Sequence, residues 1–173
     1  MGVVELTVSV PRRAVERARE LGLDLESVVA EALLRELDPA EEVEARLELA
    51  KWFLSEAKSY LQKGDVVQAS EKLYKVAEEC VKVLAQVLNL PEAAKARELG
   101  RWFTWLLDKA VRRISRALGE PRVKSAWDAA YSLRVWGFHE AKLAAEDVEV
   151  DLPQVEWLLE YVEKLVKSRG GVQ

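Results

Sequence analysis

One cysteine, Cys80, one histidine, His139, and one asparagine, Asn89, are all that this 173-residue chain has of three chemically versatile side chains. A single cysteine excludes an intrachain disulfide, and with only one histidine beside it no ordinary Cys/His zinc cage can be assembled. Neither a metal nor a cofactor is therefore expected, and any histidine-based proton transfer falls to His139. Long apolar runs are also missing, none approaching the roughly 20 residues of a spanning helix. The N-terminus lacks the basic and apolar regions of a secretory signal, so a cytoplasmic protein without membrane contact is expected. Half of the residues are hydrophobic and 32% are charged, a balance that excludes disorder for the bulk of the chain. Scarcity of Met and Asn beside abundant Glu and Arg points to a thermophilic source.

The net charge of -4 hides an uneven distribution. Residues 1–50 hold twelve acids against six arginines, whereas residues 95–124 hold nine bases against Glu98, Asp108 and Glu120. The basic stretch can attract a polyanion even on an acidic protein. Lys109, Arg112, Arg113 and Arg116 share much of one helix face and are the candidate nucleic-acid-binding residues.

Only Val3 to Val10 alternates like a strand, with Leu6, Val8 and Val10 on one side and Glu5, Thr7 and Ser9 on the other. Pro11 ends it. A short helix to Gly22 and a second from Asp24 to Leu37 follow, the latter with an apolar stripe of Val28, Val29, Ala32, Leu33 and Leu37. Beyond Pro39 the periodicity is helical almost throughout. An antiparallel hairpin turns at Lys63-Gly64-Asp65, a third long helix spans Glu92 to about Leu118, and a fourth runs from about Arg122 to Ala145. An acidic connection, Glu146 to Asp151, then leads to a last helix beginning at Pro153. Cys80 falls on an apolar stripe and reads as a buried structural thiol. The expected fold is all-α, an antiparallel bundle over 39–168, preceded by a strand-helix-helix arm over 1–38 and followed by a frayed tail over 169–173.

The hairpin stretch LELAKWFLSEAKSYLQKGDVVQASEKLYKVAEECVKVLA, with its K-G-D turn followed by A-S-E-K-L-Y, closely resembles the archaeal PaREP family of helical proteins. The likeness extends from about Leu21 to Tyr161. That family is similar to the HEPN bundles (higher-eukaryote-and-prokaryote nucleotide-binding), and the resemblance implies a HEPN-like antiparallel bundle acting as a homodimer. In HEPN ribonucleases an arginine is followed four to six residues later by a histidine on a late helix. Arg134 and His139 have that spacing and are the candidate catalytic pair. Guanidinium can hold a phosphate oxygen, and imidazole can move a proton near neutral pH. Five residues along an α-helix, however, separate two side chains by about 140°. A regular helix cannot aim both at one phosphate, so the expectation is a cleft shared between two subunits.

Residues 1–38 resemble the ribbon-helix-helix module of repressors and antitoxins, in which two strands pair across a dimer and outward strand residues enter the major groove. Those residues are Glu5, Thr7 and Ser9 here, and the acidic surroundings are a poor match for phosphate. A dimerising or bundle-capping arm is the favoured reading. The functional expectation is an RNA-directed, metal-independent ribonuclease or toxin-like protein, with RNA and an antitoxin as candidate partners. A non-catalytic nucleotide- or RNA-binding bundle and a DNA-binding regulator are the alternatives.

Overall fold

In a computed structural model, which describes residues 2–170, the chain is helical and contains no strand among those residues. Helix α1 covers Arg12–Glu20, α2 Leu25–Leu34, α3 Pro39–Gln62 and α4 Val66–Val87. Helices α5 (Pro91–Leu99), α6 (Thr104–Leu118) and α7 (Pro121–Ser132) follow. A π-helical segment, Leu133–His139, continues α7, and α8 (Ala145–Gly170) closes the chain.

The helix ends are written in the sequence. Asp38 accepts hydrogen bonds from the Ala40 and Glu41 amides, at 3.0 and 2.9 Å, while the Glu41 carboxylate accepts one from the Asp38 amide. With Pro39 at the first helical position, this is a complete capping box. Gly64 turns the chain at φ +77°, and the Asp65 carboxylate then caps α4 through the Gln68 amide. The expected single helix over 92–118 is instead two, because Gly100 adopts φ +83° and ends α5. The expected acidic connection over 146–151 is helical. Asp147 accepts a hydrogen bond from the Ala144 amide at 2.8 Å, capping α8 early, and Val148 enters the core in line with Val155, Leu158 and Val162. Pro153 lies inside that helix. Of the tail expected over 169–173, Arg169 and Gly170 belong to α8, and 171–173 lie outside the described residues.

Helix α4 is the hub. It packs against α3, α5, α6, α7, the π-helical segment and α8, and Leu73, Val76, Ala77, Cys80, Val81 and Leu84 are almost wholly buried around Phe53, Ile114, Trp127 and Leu158. Cys80 is a core residue, and burial pushes its thiol up, out of reach of nucleophilic chemistry at neutral pH.

The N-terminal arm departs most from expectation. No strand forms over Val3–Val10, and Val4, Leu6, Val8 and Val10 are 55–78% exposed. A strand is defined by its pairing, and the described residues supply no second edge for this segment. The apolar stripe of α2 likewise faces outward: Val28, Val29 and Leu33 are exposed and only Leu34 is buried.

What docks α2 is its charged face. Arg46, 3% exposed, donates to Glu31 at 2.8 and 2.9 Å, to Glu42 at 2.9 Å and to Glu79 at 2.8 Å. Lys82 bridges Glu31 and Glu79 at 2.8 and 3.0 Å, and Lys75 holds Asp24 and Glu26 at 2.7 and 2.8 Å. Arg35 adds a hydrogen bond to the Gly100 carbonyl. Buried charges are tolerated only when such partners repay the cost of leaving water. Burial alone would raise the Glu31 carboxyl, but hydrogen bonds from Arg46 and the positive charge of Lys82 outweigh it and hold the group at about 2.

Because this value lies below the ordinary 4.5, Glu31 stabilises the fold above about pH 4.5, and the contribution, about 3 kcal/mol, disappears as the pH falls towards 2. In an acid titration followed by circular dichroism, wild type should lose stability across that window. Glu31→Gln should be less stable at neutral pH and should lose less between pH 4.5 and 2.

Candidate functional site around Arg134 and His139

The two candidate catalytic residues lie together in one chain. Arg134 Nε is 3.3 Å from His139 Nε2. The α-helical argument for a shared cleft fails because the backbone here is not α-helical. Over Leu133–His139 the chain winds as a π-helix, and its last turn closes with the Glu140 amide donating to the Val135 carbonyl at 2.9 Å. With i→i+5 bonding, side chains five apart stack on one face, and such segments recur at functional sites.

A glycine seats this wide turn against α4. A Cβ on Gly137 would stand only 2.5 Å from Ser70 Cβ. Ser70 is itself fully buried, donating its hydroxyl to the Val66 carbonyl at 2.7 Å. Only the absence of a side chain permits this approach.

Arg134 is gripped from below. Its Nη1 donates to the Tyr74 hydroxyl at 2.7 Å and to Thr104 Oγ1 at 3.3 Å, and lies 3.7 Å from a Glu78 carboxylate oxygen. The guanidinium also sits 4.6 Å from the centre of the Tyr74 ring, a cation–π contact. Burial, reinforced by Glu78, pushes the Tyr74 phenol up, so it stays a neutral hydroxyl. Nη2 makes no hydrogen bond among the described residues. His139 is exposed and leans on the Phe138 ring, 4.9 Å between centroids. Its Nε2 accepts a hydrogen bond from Arg134.

Tyr74, Glu78 and Thr104 escape a reading by motif. The available signal is that Tyr74 and Glu78 stand four apart on α4 and so share a face, while Thr104 is one of only two threonines.

The four candidate nucleic-acid residues all lie on the exposed side of α6, but they are not equivalent. Arg113 donates Nε to the buried Glu92 at 3.1 Å, fastening α6 to α5. Arg112 pairs with Asp108 one turn back. Lys109 and Arg116 have no ion-pair partner among the described residues. Glu5, Thr7 and Ser9 are exposed on the unpaired arm. Among the described residues no cluster of His, Cys, Asp and Glu is arranged to hold a metal, and no helix is long and apolar enough to cross a membrane.

Residues 45–159 match the archaeal PaREP1/PaREP8 family. The chain belongs to that family. The matched stretch contains Tyr74, Glu78, Thr104, Arg134 and His139, whereas α1 and α2 lie before it. Two solved structures of one structural-genomics target, SsR10, are similar to this PaREP1/PaREP8 protein. The crystal structure, of a Sulfolobus solfataricus protein, is 36% identical with a TM-score of 0.61, covering 66% of this chain and 93% of its own. The solution structure, of the Orf c02003 protein, is 34% identical with a TM-score of 0.60, covering 68% of this chain and 91% of its own. No curated protein matches the sequence.

The packing of Gly137 on Ser70 makes a direct prediction for this PaREP1/PaREP8 bundle. Gly137→Ala should cost about 1–3 kcal/mol in denaturant unfolding, as overpacking does, and Ser70→Gly placed beside it should recover most of the loss. An unchanged midpoint for Gly137→Ala would show that the π-helical turn is not seated as described.

Proposed function

We propose that the protein is a HEPN-like, metal-independent endoribonuclease of the toxin type, with Arg134 and His139 as its catalytic residues. The observation that carries this reading is the 3.3 Å approach of Arg134 Nε to His139 Nε2 on a solvent-facing π-helical turn. A phosphate arriving at the guanidinium takes over the Nε and Nη2 hydrogens and releases His139 Nε2 from its hydrogen bond. The freed nitrogen then accepts the proton of the ribose 2′-hydroxyl as the 2′-oxygen bonds to phosphorus. The bond to the 5′-oxygen breaks, that oxygen takes the proton now held by the His139 imidazolium as it leaves, and the product ends in a 2′,3′-cyclic phosphate. Arg134 stabilises the charge that builds on the phosphoryl oxygens, and Tyr74, Thr104 and Glu78 position it.

The test is cleavage of a labelled RNA pool in EDTA. Wild type should cut RNA and leave DNA intact, and His139→Ala should lower the rate on the order of 10² to 10⁴ while keeping RNA binding. Arg134→Lys should also be costly, because lysine keeps the charge but loses the planar two-pronged grip. A His139→Ala protein that cuts as fast as wild type would sink the assignment. RNA binding without any cleavage by wild type would leave a binding bundle instead.

The reading includes a homodimer formed through the arm. Its support is that Leu6, Val8, Val28, Val29 and Leu33 are exposed together on one segment, and that the backbone of residues 2–10 makes no hydrogen bond among the described residues. A second copy supplies both the missing strand edge and the missing apolar cover. Sedimentation at tens of micromolar, a rough working range, should show a dimer, and Val8→Lys should shift it towards monomer. A wild-type monomer under those conditions overturns the assembly.

A further inference from the structure

The contacts that dock α2 do not end at α4. Glu31 of α2 holds the Lys82 ammonium at 2.8 Å, and Lys82 Nζ lies 3.6 Å from Glu78 Oε2. The other oxygen of that carboxylate, Oε1, lies 3.7 Å from Arg134 Nη1, and Arg134 donates Nε to His139 at 3.3 Å. Four charges of alternating sign, Glu31, Lys82, Glu78 and Arg134, thus form one chain of contacts from the arm to the π-helical turn. The side chains of Lys82, Glu31 and Glu78 are only 5, 16 and 19% exposed, so water and salt screen these links in part alone. Burial would lower the Lys82 ammonium, but the charges of Glu79, Glu78 and Glu31 outweigh it and push it up, so it stays a cation.

Glu78 is the link that can move. A charge-assisted N–H···O hydrogen bond is about 2.7–2.9 Å long, and Glu78 stands 3.6 and 3.7 Å from its two cations. The carboxylate is shared between them, and about 1 Å of motion either way completes one hydrogen bond and lengthens the other contact. Each other member of the chain has a closer second partner: Glu31 has Arg46, Lys82 has Glu79, and Arg134 has Tyr74 and Thr104. Which way Glu78 leans therefore depends on how far Lys82 is already neutralised. With α2 seated, Lys82 has Glu31 and Glu79 at 2.8 and 3.0 Å, and its pull on Glu78 is weak. The carboxylate then stays beside Arg134, cancelling part of its charge and repelling an arriving phosphate. With Glu31 withdrawn, Lys82 draws Glu78 in, and the guanidinium, still held by Tyr74 and Thr104, is bared. Glu31 precedes the family match, whereas Lys82, Glu78, Arg134 and His139 lie within it, so the added arm reaches into the site of the shared bundle.

We propose that α2 is an autoinhibitory element: while its Glu31 occupies Lys82, Glu78 stays on Arg134 as an internal counter-ion, and release of Glu31 frees the guanidinium for a phosphodiester. The proposal rests on the reading of Arg134 and His139 as an RNA site and adds how that site is regulated. By thermodynamic reciprocity, a phosphodiester on Arg134 also loosens α2.

Binding is the measurement, so that it is separate from cleavage. The chain has a single histidine, and its imidazole signals in NMR report on the Arg134 turn without overlap from any other. The probe is the 2′-O-methyl uridine dinucleotide, which carries one phosphodiester and cannot be cut by 2′-hydroxyl chemistry. Titrated into the full chain, it should bind Glu31→Gln about fivefold tighter than wild type, at the low end of couplings between sites. Glu36→Gln removes the same charge from the arm at a residue that does not pair with Lys82, and should bind like wild type. Glu78→Gln should bind at least as tightly as Glu31→Gln, and adding Glu31→Gln to it should change nothing further, which assigns the coupling to Glu78. Should Glu31→Gln lose the wild-type circular dichroism, Glu31→Asp, which draws the carboxylate back by one methylene, should tighten binding in its place.

Equal affinity in wild type and Glu31→Gln, or a gain from Glu31→Gln that survives in Glu78→Gln, overturns the proposal, as does a dinucleotide that no variant binds. Coupled binding by a wild type that never cleaves RNA upholds α2 as a brake on anion binding and removes the ribonuclease reading alone. Cleavage that His139→Ala abolishes, beside binding that ignores Glu31, keeps the ribonuclease and removes the brake.

Discussion

The enclosure of α4 is the constraint on which the rest of the molecule depends. Neighbours lie around it on every side, so most side chains from Ala69 to Ala85 are buried, including Ser70, Lys72, Lys75, Glu79 and Lys82. Each buried ion costs several kcal/mol in lost hydration unless partners are supplied. The acidic face of α2 supplies them for the three lysines through Asp24, Glu26 and Glu31, with Arg46 of α3 balancing Glu79. That demand turns α2 over. Its carboxylates point inward and its valines and leucines outward, the reverse of an ordinary surface helix.

The same enclosure shapes the other end of α4. Ser70 leaves space for a glycine and nothing larger, which draws the π-helical turn close. One turn further along, Tyr74 and Glu78 face that turn and fasten Arg134. The guanidinium is thus held by the hub helix through a hydrogen bond, a ring face and a nearby carboxylate. His139, by contrast, is exposed, with Arg134 and Phe138 beside it. One partner is anchored and the other stays open to solvent, an arrangement suited to holding an anion while moving a proton.

Most of the helical bundle could be read from the sequence because its signals are local. Capping residues at Asp38 and Asp65 and the apolar spacing through Leu73, Cys80 and Leu84 need no knowledge of distant neighbours. Misreadings arose where tertiary contact decides. Val148 and the Asp147 cap draw the start of α8 back through an apparently loop-like acidic stretch. The strand pattern of Val3–Val10 describes what that segment can pair with, and among the described residues of one chain there is no partner. At the site, the spacing of Arg134 and His139 was visible, but its meaning depended on the helix type. That type is tied to the closeness of Gly137 to Ser70, a residue 67 positions earlier.

The manner in which α2 is attached also bears on heat. Detaching a helix held by apolar area exposes hydrocarbon to water and raises the heat capacity, so its grip bends strongly with temperature, whereas exposing charged and polar groups changes heat capacity little or lowers it. The contacts of α2 with α3 and α4 are chiefly Glu31 to Arg46 and Lys82, with Asp24 and Glu26 to Lys75. Its docking free energy therefore has little curvature. The hydration that these ions forgo also becomes less favourable on warming, so the arm stays seated on α4 at temperatures where a greasy contact of equal strength at 25 °C would already be past its optimum.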